Sequence, residues 1–200
     1  MSTCIRDGAD LDMMADLDAA EKGIEAILRL LGRDPREPGL LRTPKRAVDA
    51  LLELGTPPDE RGPADLLATV FDDVKASDEM VAVGPVPFTS LCEHHLLAFT
   101  GRAWVAYIPT GPVVGLSKLP RLVEYMARRP QVQERLTTQI TDAIAEYLSP
   151  HAACVIRSGH SCMGHRGVRK PEAEMTTSSL LGAFRDDAAA RAELFALTRM

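Results

Sequence analysis

Residues 132–148 read VQERLTTQITDAIAEYL. Val132, Leu136, Ile140, Ile144 and Leu148 follow one another in i, i+4 steps, which lays a single apolar stripe along a helix. Such a helix must bury its stripe against a second layer. Just upstream, GLSKLPRLVEYMARR (115–129) predicts another helix, beginning after Ser117 and running to about Arg128. β-Branched and aromatic runs flank this helical pair, at 79–90, 101–109 and 112–116 before it and near 152–163 and 174–184 after it. A closing helix is expected near 187–197. Strands, two helices and strands again make an α+β chain, with an antiparallel sheet carrying its two helices on one face.

Farther toward the N-terminus, Ile24, Ile27, Leu28 and Leu31 predict a helix from Leu17 that stops at Gly32, and Thr43-Pro44 opens a second helix carrying Val48, Leu51 and Leu52. The link GTPPDERGP (55–63) then leads to a short helix near 64–71. The expected organisation is a flexible, Asp-rich leader over 1–16, a helical arm over 17–75 and a compact α+β domain over 76–200. The 200 residues, 46% hydrophobic and 26% charged, suffice for one sizeable core. A net charge of −5 offers no footprint for nucleic acid, so a bound anion would have to be held by a local cluster of cations. No stretch approaches a membrane span and the N-terminus lacks a signal pattern, so a cytoplasmic protein is expected.

Four of the five histidines fall in two short segments, SLCEHHLL (90–97) and RSGHSCMGHRG (157–167), each with a cysteine. Thiolate and imidazole suit Zn²⁺, and the two-residue gap of Cys92-x-x-His95 lets one turn present both. His160-x-Cys162 lies in a strand-like stretch, where residues two apart share a face and both could reach the same ion. Cys154 shares that parity but lies roughly 20 Å away along an extended strand, too far to join them. The inventory is three ligands plus spare histidines, which matches a catalytic site with an open position better than a closed structural one. Three ligands would let the metal bring a water's pKa toward neutrality and leave His94 and His160 for proton transfer. Two unrelated polar turns remain the other reading of the same spacing.

In GLSKLPRL (115–122), Ser117 falls at an N-cap, and Lys118 and Arg121 share a face of the first helical turn. With the helix N-terminus they form either a phosphate site or a pair of solvated cations. Arg166 could add a third cation near the metal. Glu134 lies about 200° around its helix from Val132, off the apolar stripe, where pattern alone leaves it solvated.

Taken together, SLCEHHLLAFTGRAWVAYIP (90–109), GLSKLPRLVEYMARRPQVQERLTTQI (115–140), GHSCMGHRGVRK (159–170), TTSSLLGAFR (176–185) and, in the arm, LLRTPKRAV (40–48) resemble the GTP cyclohydrolase I family, in the family's order and over roughly residues 20–197. The resemblance implies a T-fold subunit preceded by an N-terminal helical pair. It also implies a decamer of two face-to-face pentamers with active sites at subunit boundaries. By the same resemblance, Cys92, His95 and Cys162 bind Zn²⁺, and His94 and His160 are the catalytic acid/base pair. Lys118, Arg121 and Arg166 hold the triphosphate of GTP with Ser117 beside them, Glu134 reads the guanine edge, and Gln133 is a neighbouring pocket residue. Arg46 resembles an arginine supplied by an adjacent subunit. The implied reaction opens the guanine imidazole ring at C8, releases formate, rearranges the ribose and closes a second ring, giving 7,8-dihydroneopterin triphosphate.

Some positions depart from the family's usual pattern. Arg157-Ser158-Gly159 stands where an acidic and a small residue are common before the second histidine, and CMGHRG stands for a CMxMRG-like run. Ala98 replaces a common proline and Trp104 a frequent histidine. Every carried-over functional residue is present, so the departures bear on pathway and kinetics. They leave room for a paralogue that feeds a specialised pterin or deazapurine pathway.

Overall fold

The computed structural model describes residues 7–58, 61–71 and 79–198. By its internal packing the chain divides into two units, Met1–Glu53 and Leu54–Met200.

In the first unit, α1 spans Asp7–Leu30 and α2 Thr43–Gly55, its last two residues belonging to the second unit. Residues 7–16, expected within a flexible leader, are the first turns of α1, while residues 1–6 lie outside the described residues. The reason is local: this segment is rich in Ala, Leu, Met and Asp, three of them good helix formers and the fourth favourable near a helix N-terminus, so no apolar face is needed to start the helix. Gly32 ends this segment with φ +77°, a left-handed conformation that suits glycine.

The second unit runs α3 (Pro63–Leu67), β1 (Val70–Phe71), β2 (Val81–Cys92), β3 (Ala98–Tyr107), β4 (Val113–Val114), α4 (Lys118–Ala127), β5 (Pro130–Gln131), α5 (Gln133–Tyr147), β6 (Ala152–His160), α6 (Ser161–Gly164), β7 (Glu174–Leu180), α7 (Ala183–Asp186) and α8 (Ala188–Thr198). The boundary expected between residues 75 and 76 lies outside the described residues. The main sheet has the order β5-β2-β3-β6-β7. Pairing along β2-β3-β6-β7 is antiparallel throughout, as the strand runs predict, but β5 lies parallel to β2 and makes the sheet mixed. With only two residues, β5 is too short to leave a periodic signal. β1 and β4 form a separate two-stranded sheet, so the 112–116 run is a strand outside the main sheet.

Strand parity builds the main core. Ala103, Val105 and Tyr107 on β3 and Ala152, Cys154 and Ile156 on β6 point to one face. There they meet Leu119, Leu122, Val123 and Met126 of α4 and Leu136, Ile140 and Ile144 of α5. The apolar stripe of 132–148 is thus the face that closes on the sheet. On the opposite face, Ala106, Ala153 and Val155 pack with Phe184 and Leu194 of the C-terminal helices. The strand expected to reach 184 stops at Leu180 because Gly182 adopts φ +55°, and a Cβ there would sit 2.3 Å from His151 Nδ1. Among the described residues no helix is long and apolar enough to cross a membrane.

Candidate metal centre and its proton-transfer neighbours

β2 ends at Cys92, and the chain turns at once. Cys92 N–H donates to Leu97 O (2.9 Å), while His95 N–H and Leu96 N–H both donate to Cys92 O (3.2 and 2.8 Å). Leu96 takes φ +51° to complete this turn, which returns the chain into β3. The turn is tied to the neighbouring segment twice, by Glu93 N–H donating to Gln131 O (3.0 Å) and by Arg135 of α5 donating to the Glu93 carboxylate. That guanidinium holds the Glu93 carboxyl below its ordinary value.

Ligand atoms of Cys92, His95 and Cys162 all lie within 4.8 Å of one another. Zn–S bonds of about 2.3 Å and Zn–N bonds of about 2.1 Å in a tetrahedron place ligand atoms roughly 3.5–4 Å apart, so the donors are near that spacing. The Cys92 thiol is buried, and burial together with the Cys92 sulfur pushes the Cys162 thiol up, opposed by Arg166. Two thiols crowded in this way are suited to a cation between them. Cys162 reaches the cluster differently from the expectation. β6 ends at His160, and Cys162 lies in the one-turn helix α6, so a helical turn and not strand parity points it at Cys92.

His94 Nδ1 lies 3.9 Å from Cys92 Sγ, barely farther than His95 Nδ1 at 3.7 Å, yet His94 is outside the three-donor cluster. The two rings stand nearly perpendicular, at 83°, and the His94 side chain is 64% exposed. Arg166 Nη1 donates to His95 Nε2 at 3.1 Å, which puts this cation at the three-donor cluster. Cys154 is wholly buried in the core, where burial pushes its thiol up, and takes no part.

His160 is half-buried at the end of β6. Its ring stacks on Phe99 with centroids 4.6 Å apart and planes 6° from parallel. Burial holds its pKa below the ordinary value, and the negative charge of Glu134, exposed on the first turn of α5, opposes this. Gln133, expected as a pocket residue, is only 1% exposed and lies under His160, its Oε1 3.0 Å from His160 Nε2. Ser158, also 1% exposed, joins the same group and was not singled out as a site residue. Its signal was available, since residues 158 and 160 share a strand face.

Ser117 occupies the N-cap of α4 but makes no side-chain cap bond, because its backbone is helical (φ −69°, ψ −11°) where a capping serine is extended. Lys118 and Arg121 start α4 as expected, and Arg121 lines a small hollow with Pro58, Leu66, Glu124 and Tyr125. Among the described residues, no hydrogen bond or ion pair joins either cation to Cys92, His95 or Cys162. Arg46 is exposed on α2, in the first unit.

The family model described as GTP cyclohydrolase I matches residues 20–199. GTP cyclohydrolase 1 of Bacillus subtilis (strain 168) is 47% identical over 176 residues, covering 87% of this chain and 91% of the relative. The protein of the same name from Mycolicibacterium gilvum (strain PYR-GCK) is 48% identical over 185 residues, covering 89% and 88%. That from Brevibacillus brevis is 45% identical over 191 residues, covering 94% and 100%.

Proposed function

This chain belongs to the GTP cyclohydrolase I family, and from that premise we propose that it converts GTP to 7,8-dihydroneopterin triphosphate and formate with one zinc ion held by Cys92, His95 and Cys162. The observation that carries the reading is the division of labour at the site: three soft or borderline donors converge within 4.8 Å while His94 and His160 stay outside them. When bound, the ion supplies Lewis acidity and a water nucleophile at neutral pH.

The chain's own residues do the rest. His160, fixed against Phe99, donates a proton to the imidazole ring of guanine and makes C8 electrophilic. His94, exposed beside the cluster, moves protons in the ribose rearrangement. Glu134 accepts hydrogen bonds from the N–H groups of the guanine edge, and its exposure on α5 leaves it open to do so. Arg166 holds phosphate close to the metal, and Lys118 and Arg121, with Ser117, hold the remainder of the triphosphate.

Within the T-fold reading of residues 76–200, preceded by the helical arm of 17–75, active sites are completed between subunits of a decamer of two pentamers. Arg46 is then an adjacent subunit's contribution. The large exposed apolar side chains Leu30, Leu31, Leu41 and Leu116 are consistent with surfaces that other copies cover. Incubating the zinc-loaded protein with GTP tests the reading. Formate and a pterin chromophore should appear together, and absence of both would overturn it.

A further inference from the structure

The orientation of the Gln133 amide is settled by what surrounds it. Its Nε2 lies 3.1 Å from Ile156 O and 3.1 Å from Met175 O, two carbonyls that only accept, and 3.0 Å from Thr177 Oγ1. Oε1 therefore faces the other way, and it too only accepts. Two groups reach it, Ser158 Oγ at 2.5 Å and His160 Nε2 at 3.0 Å, so both must donate. Ser158 has one hydroxyl proton and spends it there. At 3.2 Å from His160 Nε2, its oxygen can then only accept. Two separate acceptors thus require an N–H at His160 Nε2. Gln133 and Ser158 are each 1% exposed, which leaves water little access to substitute for either. Stacking on Phe99 sets the plane of the imidazole, and these bonds set its rotation within that plane. Nδ1 has no hydrogen-bond partner among the described residues.

We propose that Ser158 is a positioning residue, which with Gln133 holds His160 as the Nε2–H tautomer and makes Nδ1 the nitrogen that gives its proton to the guanine imidazole ring. This deepens the proposed function and rests on it for the identity of the proton acceptor. In the step itself the Nδ1–H bond of the imidazolium breaks and an N–H bond forms on the purine ring nitrogen N7. The positive charge passes from His160 to the purine, and a neutral imidazole carrying its proton on Nε2 remains. Ser158 makes no contact with substrate in that step; it fixes which nitrogen can act.

Neutron diffraction from crystals of the zinc-loaded protein, at a pD where the imidazole is neutral, reads the arrangement directly. Deuterium is expected on His160 Nε2, with the Ser158 O–D directed at Gln133 Oε1. Deuterium on Nδ1 alone, or a Ser158 O–D aimed at His160, overturns the proposal. Because this needs no turnover, inactivity toward GTP would sink the functional reading and leave the tautomer legible. In parallel, Ser158→Ala should lower kcat by about 2- to 12-fold, the loss expected for one neutral hydrogen bond, with KM for GTP and zinc content unchanged. An unchanged kcat overturns the positioning role. A loss of zinc or a raised KM overturns it as well, by showing that Ser158 shapes the ligand set or the pocket instead.

Discussion

Adjacent histidines at 94 and 95 give the sharpest test of the site, since their Nδ1 atoms differ by only 0.2 Å in distance to Cys92 Sγ (3.9 against 3.7 Å). What separates them is Cys162: His95 groups with both cysteines, the three ligand atoms lying within 4.8 Å of one another, and His94 is not part of that group. Apparent zinc binding in four-ligand sites is worth about 10–16 kcal/mol. Shared over its ligands, that is roughly 3–4 kcal/mol each, or two to three orders of magnitude in affinity at about 1.4 kcal/mol per tenfold. His95→Ala should therefore weaken zinc binding roughly 100- to 1,000-fold and lose activity with the metal. His94→Ala should hold zinc within about 2-fold of the parent and fail in turnover, since its 64% exposed side chain is not part of the three-donor group found among the described residues. Competition against a chromophoric chelator at fixed pH measures both affinities, and formate release measures ring opening separately from pterin formation. Comparable zinc loss in the two variants would refute the division of roles.

Arg121→Ala should raise KM for GTP by roughly 10- to 150-fold through loss of a charge-assisted bond, with little effect on binding of guanosine, in paired kinetic and equilibrium titrations. Gln133→Leu removes the partner of Ser158 and His160 and the amide that spans two carbonyls. With two buried groups left unsatisfied at roughly 1–3 kcal/mol each, the apparent Tm at fixed protein concentration should fall by about 4–24 °C. Glu134→Gln removes the charge that opposes the effect of burial on His160, so the pKa of His160 should fall further. Turnover that needs protonated His160 is lost as pH rises through that pKa. The alkaline decline of kcat/KM should accordingly start at lower pH in the variant, whatever its height.

How much of this was legible in the sequence depended on the length of the signal. The stripe from Val132 to Leu148 extends over four turns, and the buried side chains Leu136, Ile140 and Ile144 lie where it puts them. The tight spacing of Cys92 and His95 likewise survives folding, because a single turn contains both. Pro130 and Gln131 form a two-residue strand whose pairing with β2 depends on a long-range parallel contact that no local pattern encodes. Cys162 joined the expected cluster for a reason other than parity. After His160 the chain coils, and Gly164 and the turn through His165 belong to a helical segment that β-branched content upstream does not announce. Ser117 shows the converse, a preferred capping residue whose helical backbone forfeits the cap.

The departures at 157–159 separate by the same parity that builds the core. Arg157 pairs in register with Arg102 and sits on the open face of the sheet, where it lines a cleft of about 760 Å³ with Trp104 and Glu174, its guanidinium 4.0 Å from the Glu174 carboxylate. Ser158 points through the other face to Gln133, beside His160. Gly101 lies directly across from Ser158, and a Cβ there would fall 2.2 Å from Arg157 O, so glycine lets β3 and β6 close up beside His160. Neighbouring residues on one strand thus face different surroundings. The Arg157 guanidinium faces a surface on the other side of the sheet from His160, whereas the Ser158 hydroxyl lies against His160 itself and, under the proposal above, bears on its tautomer.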